Sequence, residues 1–164
     1  MSTLMKDPVC GMQVEPHMYV TEYLQSRFAF CSIQCRDRFL ANPHLFIGFP
    51  GQKAPKQEGL EVLKQRRLNV ARFLSPSQAD SLIGSLQAMM GIKSITVNVD
   101  KIEITYDLLQ ITAEQIEAKM TEIGVDLGEG WMEQLYRAFI HYEEEVEVGS
   151  LEVYNEKNFH QHQK

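Results

Sequence analysis

The sequence has no long apolar run and no surplus of positive charge. No window approaches the roughly 18 consecutive apolar residues of a membrane-spanning helix, and the N-terminus MSTLMKDPVC lacks the apolar core of a secretory signal. The chain has 16 basic and 22 acidic residues, a formal net charge of −6, and no basic stripe that could neutralise phosphates. We therefore expect neither membrane insertion nor nucleic acid as a partner.

Cysteine is also scarce. The 164 residues include three cysteines, and all of them lie near the N-terminus: Cys10, Cys31 and Cys35. A secreted disulfide framework would normally pair its cysteines, which an odd number does not allow. In a reducing compartment the same residues are thiols available for a metal or for chemistry. We therefore place the protein in the cytoplasm.

Motifs of common catalytic sites are missing as well. The sequence contains no G-x-S-x-G, no P-loop and no G-x-G-x-x-G. Cys31 with His17 or His44 could form a thiol–imidazole pair, but such a nucleophile would leave Cys10 and Cys35 unexplained. We expect a binding protein rather than an enzyme.

Composition divides the chain into successive segments. Residues 6–48 are dense in Cys, Met, Phe and Pro, and residues 49–59, FPGQKAPKQEG, have the composition of a linker. Residues 60–129 alternate between strand-like and helix-like patterns. Residues 130–156 hold 7 acidic residues and 1 basic residue and predict an acidic amphipathic helix with an extension, and residues 157–164 form a polar tail.

The middle segment predicts the order βαββαβ. Residues 67–73 form a short, imperfectly alternating strand, and Ser75 before a proline predicts the start of a helix. Two alternating runs on either side of Asp100 indicate a hairpin. Thr112 predicts the cap of a second helix, and residues 125–127 a last short strand. This is the order of a ferredoxin-like sandwich, so the predicted fold class is α+β, with an extra C-terminal helix.

That C-terminal helix has a broad apolar face. Leu135, Phe139 and Tyr142 follow Trp131 at helical spacing, with Met132, Tyr136 and Ile140 beside them. Such a stripe usually packs against the protein's own sheet, and the alternative is a surface for a partner or a dimer. The acidic residues 143–145 indicate a solvated surface. We therefore expect buried aromatic side chains and exposed carboxylates on this helix.

The residues around the three cysteines suggest how these could meet. The run DPVCG at residues 7–11 is typical of a tight turn, in which proline fixes one φ angle and glycine lets the backbone approach an ion. Residues 28–30 predict the end of a strand, and Ser32 predicts the cap of a helix with Cys35 in its first turn. The positive end of that helix dipole would lower a thiol pKa. Cys31 would lie at the same corner.

Three thiolates indicate a soft metal ion. Three-coordinate sulfur suits Cu(I), whereas Zn(II) needs a fourth ligand at about 2.0–2.3 Å. Candidates for that ligand are His17, His44 and Asp7, and Met12 is a softer candidate that fits copper better. The alternative is that the cysteines are core residues, since free cysteine is often buried. So small a segment has little core of its own, so a zinc ion could also contribute directly to its folding.

The N-terminal segment resembles a known family through three features: the run KDPVCGMQV at residues 6–14, the run FAFCSIQC at residues 28–35, and Phe39, Asn42-Pro43 and Phe46. They resemble the YHS domain, which is related to the TRASH metal-sensing modules. The name-giving tripeptide is Phe-Cys-Ser at residues 30–32, with cysteine in place of histidine. The resemblance implies a small ββα-type module, intracellular and associated with transition-metal trafficking.

Residues 66–128 resemble the heavy-metal-associated domain, the fold of copper chaperones and of modules in copper-transporting P-type ATPases. That family carries a Met-x-Cys-x-x-Cys loop before its first helix. Counting back from Gly91, its two cysteine positions fall on Ser75 and Gln78, and neither side chain binds Cu(I) as a thiolate does. The resemblance implies a ferredoxin-like domain that has lost its metal site and docks onto a partner.

Together these observations predict a cytoplasmic, two-module, transition-metal-binding protein. In the leading hypothesis Cys10, Cys31 and Cys35 bind Cu(I) for trafficking or homeostasis, and the partner is a copper-transporting P-type ATPase or another metal-handling protein. In the rival hypothesis the protein is an interaction or adaptor protein, and its N-terminal module holds Zn(II) for structure alone.

Overall fold

A computed structural model of the protein describes residues 3–128 and 130–161. Seven short strands and four helices follow one another along the chain: β1 (Met5–Lys6), β2 (Gln13–Val14), β3 (Thr21–Tyr23), β4 (Ser26–Phe28), α1 (Ile33–Ala41), β5 (Leu63–Asn69), α2 (Pro76–Gln87), β6 (Ile92–Asn98), β7 (Lys101–Asp107), α3 (Ala113–Glu122) and α4 (Trp131–Gln161). A 3₁₀ turn at Pro43–Leu45 follows α1. Mixed helix with small antiparallel sheets confirms the predicted α+β class.

The chain divides into two compact units. The first contains the described residues up to Glu61 together with α4 from Val146 onward, and the second spans Val62–Glu145. Within residues 3–128 and 130–161, none of the helices combines the length and the apolar character needed to cross a bilayer.

The first unit is built from two antiparallel hairpins and α1. β1 pairs with β2 and β3 pairs with β4. Its core is aromatic and centres on Phe39 of α1, whose ring lies 4.9 Å from that of Phe28 and 5.2 Å from that of Phe30. Tyr23 and Phe46 complete the ring cluster. Because Phe39 is fully buried among these rings, the start of α1 is held in a fixed place.

The segment predicted to be a linker, residues 49–59, is packed onto the first unit. Ala54 is buried, and the backbone N–H of Lys56 donates a hydrogen bond of 3.0 Å to the carbonyl of Leu45. Proline and glycine in this segment therefore make turns that stay folded against the 3₁₀ turn.

The second unit contains a three-stranded antiparallel sheet in the order β5-β7-β6, with α2 and α3 in its connections. The predicted helix starts are confirmed, because Ser75 and Thr112 each form a capping box with the glutamine three residues on. In place of a last strand over residues 125–127, a single antiparallel bridge joins Val70 to Leu127. Residues 125 and 126 belong to no strand, so the pairing of this segment with the chain after β5 consists of that one bridge.

Helix α4 differs from its prediction in length and in the face it buries. It is helical to Gln161, through much of the segment for which composition predicts a tail; residues 162–164 lie outside the described part of the chain. Leu135, Phe139 and Tyr142, expected to be buried, are 60%, 55% and 64% exposed. Ile140, which belongs to the same predicted apolar face, is buried. The side chain of Trp131 is outside what the structure describes.

The acidic run also departs from its prediction, because Glu144 is only 2% exposed. Tyr106 donates its hydroxyl to Glu144 Oε2 at 2.5 Å, and the backbone N–H of Ala113 donates to Oε1 at 2.7 Å. Burial, with the adjacent Glu144 carboxylate, raises the pKa of Tyr106 above its usual range. Since Ala113 is the first residue of α3, the Glu144 carboxylate caps that helix from outside it.

Replacing Glu144 with alanine should destabilise the second unit by about 3 kcal/mol, because it leaves the Tyr106 hydroxyl and the Ala113 N–H buried without an acceptor. Urea unfolding followed by circular dichroism measures the change. Glu143→Ala, on the neighbouring exposed position, should stay within about 0.5 kcal/mol of the unmodified chain. Equal losses in the two variants would show that the Glu144 hydrogen bonds contribute nothing specific.

Candidate metal centre

The first part of the centre is a turn between β1 and β2. The backbone N–H of Asp7 donates to the Met12 carbonyl at 2.8 Å, and the N–H of Gly11 donates to the Asp7 carbonyl at 2.9 Å. Gly11 has a φ of 82°, a left-handed conformation that glycine adopts without the steric cost of a Cβ atom. These bonds close the DPVCG segment into the predicted knuckle, with Cys10 on it.

The second part is the corner between β4 and α1. The Ser32 hydroxyl accepts a hydrogen bond from the backbone N–H of Cys35 at 3.3 Å and so caps α1. Cys31 precedes this cap, and Cys35 lies in the first helical turn. The corner therefore brings both cysteines close to Cys10 on the knuckle.

The three sulfurs converge at one point. Cys10 Sγ lies 3.5 Å from Cys31 Sγ, and Cys31 Sγ lies 3.5 Å from Cys35 Sγ. A carboxylate oxygen of Asp7 joins them, and the four ligand atoms are all within 4.8 Å of one another. Cys35 is buried, whereas Cys10 and Cys31 are partly exposed. The cysteines thus form a cluster with access to solvent, and are not dispersed through the aromatic core.

Asp7 fixes the geometry of this cluster. Its side chain is fully buried, and its Oδ1 accepts hydrogen bonds from the backbone N–H groups of Val9 at 2.8 Å and Cys10 at 3.3 Å. Its Oδ2 accepts from the N–H of Cys31 at 2.8 Å. One carboxylate therefore ties the knuckle to the strand–helix corner. The sequence suggested Asp7 only as a ligand, and this positioning role depends on backbone groups that lie far apart in the chain.

The two histidines proposed as ligands lie outside this cluster. His17 is exposed and outside the cluster. Both ring nitrogens of His44 already have partners, the Tyr23 hydroxyl at 2.9 Å and the Ile47 carbonyl at 3.3 Å. The Met12 side chain is 46% exposed. Among the described His, Cys, Asp and Glu residues, only Asp7 and the three cysteines group in this way.

The thiols differ in their readiness to ionise. A hydrogen bond from the Cys35 thiol, with others from the Met12 backbone and Cys31, lowers the pKa of Cys10 to about 7. Burial raises the pKa of Cys31 to about 11. The hydrogen bond to Cys10, together with burial, raises the pKa of Cys35 above its usual range. At neutral pH the cluster thus holds one readily formed thiolate and two thiols.

This order corrects one expectation. The sequence predicts a lowered pKa at the start of α1, where the helix dipole acts. The lowered pKa belongs instead to Cys10 on the knuckle, and Cys35 in the helix is the donor that stabilises its thiolate. The hydrogen bond to Cys10 and the burial of Cys35, whose thiolate would lose solvation, keep the Cys35 pKa high.

Comparison with known proteins gives a family match in the N-terminal segment. The family profile of the YHS domain matches residues 5–48, which confirms the resemblance noted from the sequence. No curated protein sequence gives a significant match.

Two solved structures show a partial likeness. A protein described as the CsoZ metallochaperone has a TM-score of 0.39 and 16% identity, over 41% of this chain and 99% of that one. A protein from Bacillus anthracis str. Ames, described as copper-ion-binding, has a TM-score of 0.40 and 20% identity, over 42% of this chain and 100% of that one.

We expect one thiolate to form near pH 7 in the metal-free protein and to be lost in Cys10→Ser, because Cys10 alone has a lowered pKa. Ultraviolet thiolate absorbance across a pH titration measures it. The Cys10 pKa is lower in the folded than in the unfolded chain, so its stabilising contribution is present above the unfolded pKa. That contribution disappears as the pH falls through about 7. A first titration above pH 9 would contradict the order of the thiols.

Asp7→Asn should destabilise the first unit by about 2 kcal/mol, because an amide NH₂ would replace one acceptor and face a backbone N–H. Urea unfolding measures the loss. Asp37→Asn is the matched control, since Asp37 is exposed on α1 and should change stability by less than about 0.5 kcal/mol. Equal stability of the two variants would contradict the conclusion that the Asp7 carboxylate ties the knuckle to the strand–helix corner.

Proposed function

We propose that the protein binds Cu(I) through Cys10, Cys31 and Cys35 and serves in copper trafficking or homeostasis. The observation that carries this proposal is the convergence of three sulfurs: Cys31 Sγ lies 3.5 Å from each of the other two, and all three are within 4.8 Å of one another. An ion about 2.3 Å from each sulfur in a planar site separates the sulfurs by about 4 Å. The Cys10–Cys31 and Cys31–Cys35 separations would therefore need to widen by only roughly half an ångström, and thiolates are the ligands that soft monovalent copper prefers.

The state of Asp7 supports three-coordinate binding. A carboxylate has about four lone-pair positions, and on Asp7 three of them already accept hydrogen bonds from backbone N–H groups. Asp7 thus has little capacity left for an ion, and sulfur remains the dominant donor. The partial exposure of Cys10 and Cys31 supports delivery to a partner, since a thiol of a second protein can reach the ion from that side.

A structural Zn(II) site is the second candidate function, in which the protein acts as an adaptor. The observation in its favour is that a carboxylate oxygen of Asp7 lies within 4.8 Å of all three sulfurs. With its one remaining lone pair Asp7 could complete a four-ligand zinc site. In that case the ion would stabilise the fold of the first unit rather than be passed on.

For residues 60–129 we propose a ferredoxin-like, heavy-metal-associated type of domain without a metal of its own. The strand order β5-β7-β6 and the Val70–Leu127 bridge support this arrangement. Ser75 and Gln78, at the positions of the family's cysteines, instead cap α2 through reciprocal hydrogen bonds. The domain would serve as a docking module for a copper-transporting P-type ATPase or another metal-handling protein.

Two further parts of the proposal follow from the thiols. Three unpaired cysteines are best maintained in a reducing compartment, so we place the protein in the cytoplasm. We also propose that the protein binds a metal ion rather than catalyses a reaction. A metal site uses all three thiols, whereas a catalytic nucleophile would use only one of them.

The protein should bind one equivalent of Cu(I), and Cys31→Ser should weaken binding at least tenfold, because Cys31 is the sulfur that lies 3.5 Å from both others. Titration against a colorimetric Cu(I) chelator measures the affinity. Binding at pH 8 should release about two protons, since Cys31 and Cys35 are protonated there, and affinity should rise with pH.

His17→Ala is the control for this titration, because His17 is exposed and outside the cluster, and it should leave affinity unchanged. Stoichiometric zinc after purification, whose removal unfolds the first unit, would favour the structural zinc site instead. A protein that binds neither ion at the cysteines would contradict both candidate functions.

A further inference from the structure

The outer face of α4 is apolar and exposed. Leu135, Phe139 and Tyr142 are each more than half exposed, and Tyr136 beside them is 52% exposed. Their spacing of four and then three residues places the first three in one line along the helix. At 100° per residue, that line is on the opposite side of α4 from the buried Ile140. All four residues belong to the second unit.

The fold of the second unit does not require these side chains. α4 is held by its other face, through buried Ile140 and through the Glu144 carboxylate that caps α3. Contiguous exposed apolar side chains on a protein surface mark interaction sites, and aromatic residues are enriched in them. Apolar residues at alternating spacings of four and three residues are typical of a helix that packs against another helix.

The charges beside the line restrict what can bind there. Glu143 lies on one side of Tyr142 and Glu145 on the other, and both are exposed. Arg137 lies on the inner side, where its Nε is 3.2 Å from Glu117 Oε1 and its Nη1 donates to the Gly128 carbonyl at 2.9 Å. Over residues 133–145 the described outer face therefore presents carboxylates and no cation.

We propose that the outer face of α4, defined by Leu135, Phe139 and Tyr142 with Glu143 and Glu145 beside them, binds a basic amphipathic helix of a partner protein. The partner's apolar side chains pack between the aromatic rings, and its lysines or arginines pair with the two carboxylates. This surface lies within the second unit, and its binding does not depend on a metal at the cysteines.

Two other occupants fit less well. A second copy of the chain, packed through the same face, would bring the same carboxylates and no cation to the contact. An anionic membrane surface would be repelled by Glu143 and Glu145.

The test uses the full chain and a synthetic amphipathic helical peptide, with leucine at positions a and d and lysine at e and g. A charge-reversed peptide with glutamate in place of lysine is the comparison. Fluorescence anisotropy measures binding at low and high salt. We expect the lysine peptide to bind, more weakly at high salt, and the glutamate peptide to bind at least tenfold more weakly.

Two sets of variants locate the site. Phe139→Ala should weaken binding of the lysine peptide at least tenfold, whereas Phe73→Ala, at an exposed phenylalanine elsewhere in the unit, should not. Glu143→Lys with Glu145→Lys should reverse the preference towards the glutamate peptide, whereas Asp80→Lys on α2 should preserve it. All five substituted positions are exposed, and circular dichroism checks that each variant remains folded.

The proposal is overturned by equal binding of the two peptides, or by unchanged binding in the Phe139 variant. Sedimentation equilibrium and flotation with phosphatidylserine vesicles examine the other occupants. A dimer of the unmodified chain that Phe139→Ala dissociates would assign the face to a second copy. Vesicle binding lost in the same variant would assign it to a membrane surface.

Discussion

The buried carboxylate of Asp7 is the constraint on which the N-terminal unit depends. Its two oxygens accept hydrogen bonds from Val9 and Cys10 on one side and from Cys31 on the other. A buried carboxylate without partners would be costly, so its burial is compatible with folding only when these N–H groups surround it. The knuckle and the strand–helix corner are therefore formed together, and the Cys10 and Cys31 thiols meet because their backbone N–H groups bind the same carboxylate.

The aromatic core also holds the residues around the cysteines in place. Phe39 lies one turn after Cys35 on α1 and packs against the rings of Phe28 and Phe30. These two phenylalanines lie three residues and one residue before Cys31. The residues that pack the core are thus neighbours in sequence of the residues that form the cluster. In a unit this small, the sulfur cluster and the hydrophobic core are parts of one structure, and an ion bound at the sulfurs would stabilise both.

Helix termini account for several polar side chains that might otherwise be taken for binding groups. Ser32 caps α1, Ser75 and Gln78 cap α2, and Glu144 caps α3 from a distant helix. In each case an oxygen satisfies a backbone N–H that has no partner within the helix. This explains why Ser75 and Gln78 form a stable helix start, and why an acidic residue is buried in α4.

What the sequence determined was local. The three cysteines, the glycine of the knuckle, the caps at Ser75 and Thr112 and the α+β class follow from spacing and backbone chemistry that act within a few residues. The role of Asp7, the partners of His44, the burial of Glu144 and the face that α4 buries were decided by tertiary structure. An amphipathic pattern does not say which of two possible faces meets the core, and a carboxylate's partners are unknown until distant backbone N–H groups are placed. In α4, the Tyr106 hydroxyl and the N-terminus of α3 made burial of Glu144 favourable, and that turned Leu135, Phe139 and Tyr142 to the surface.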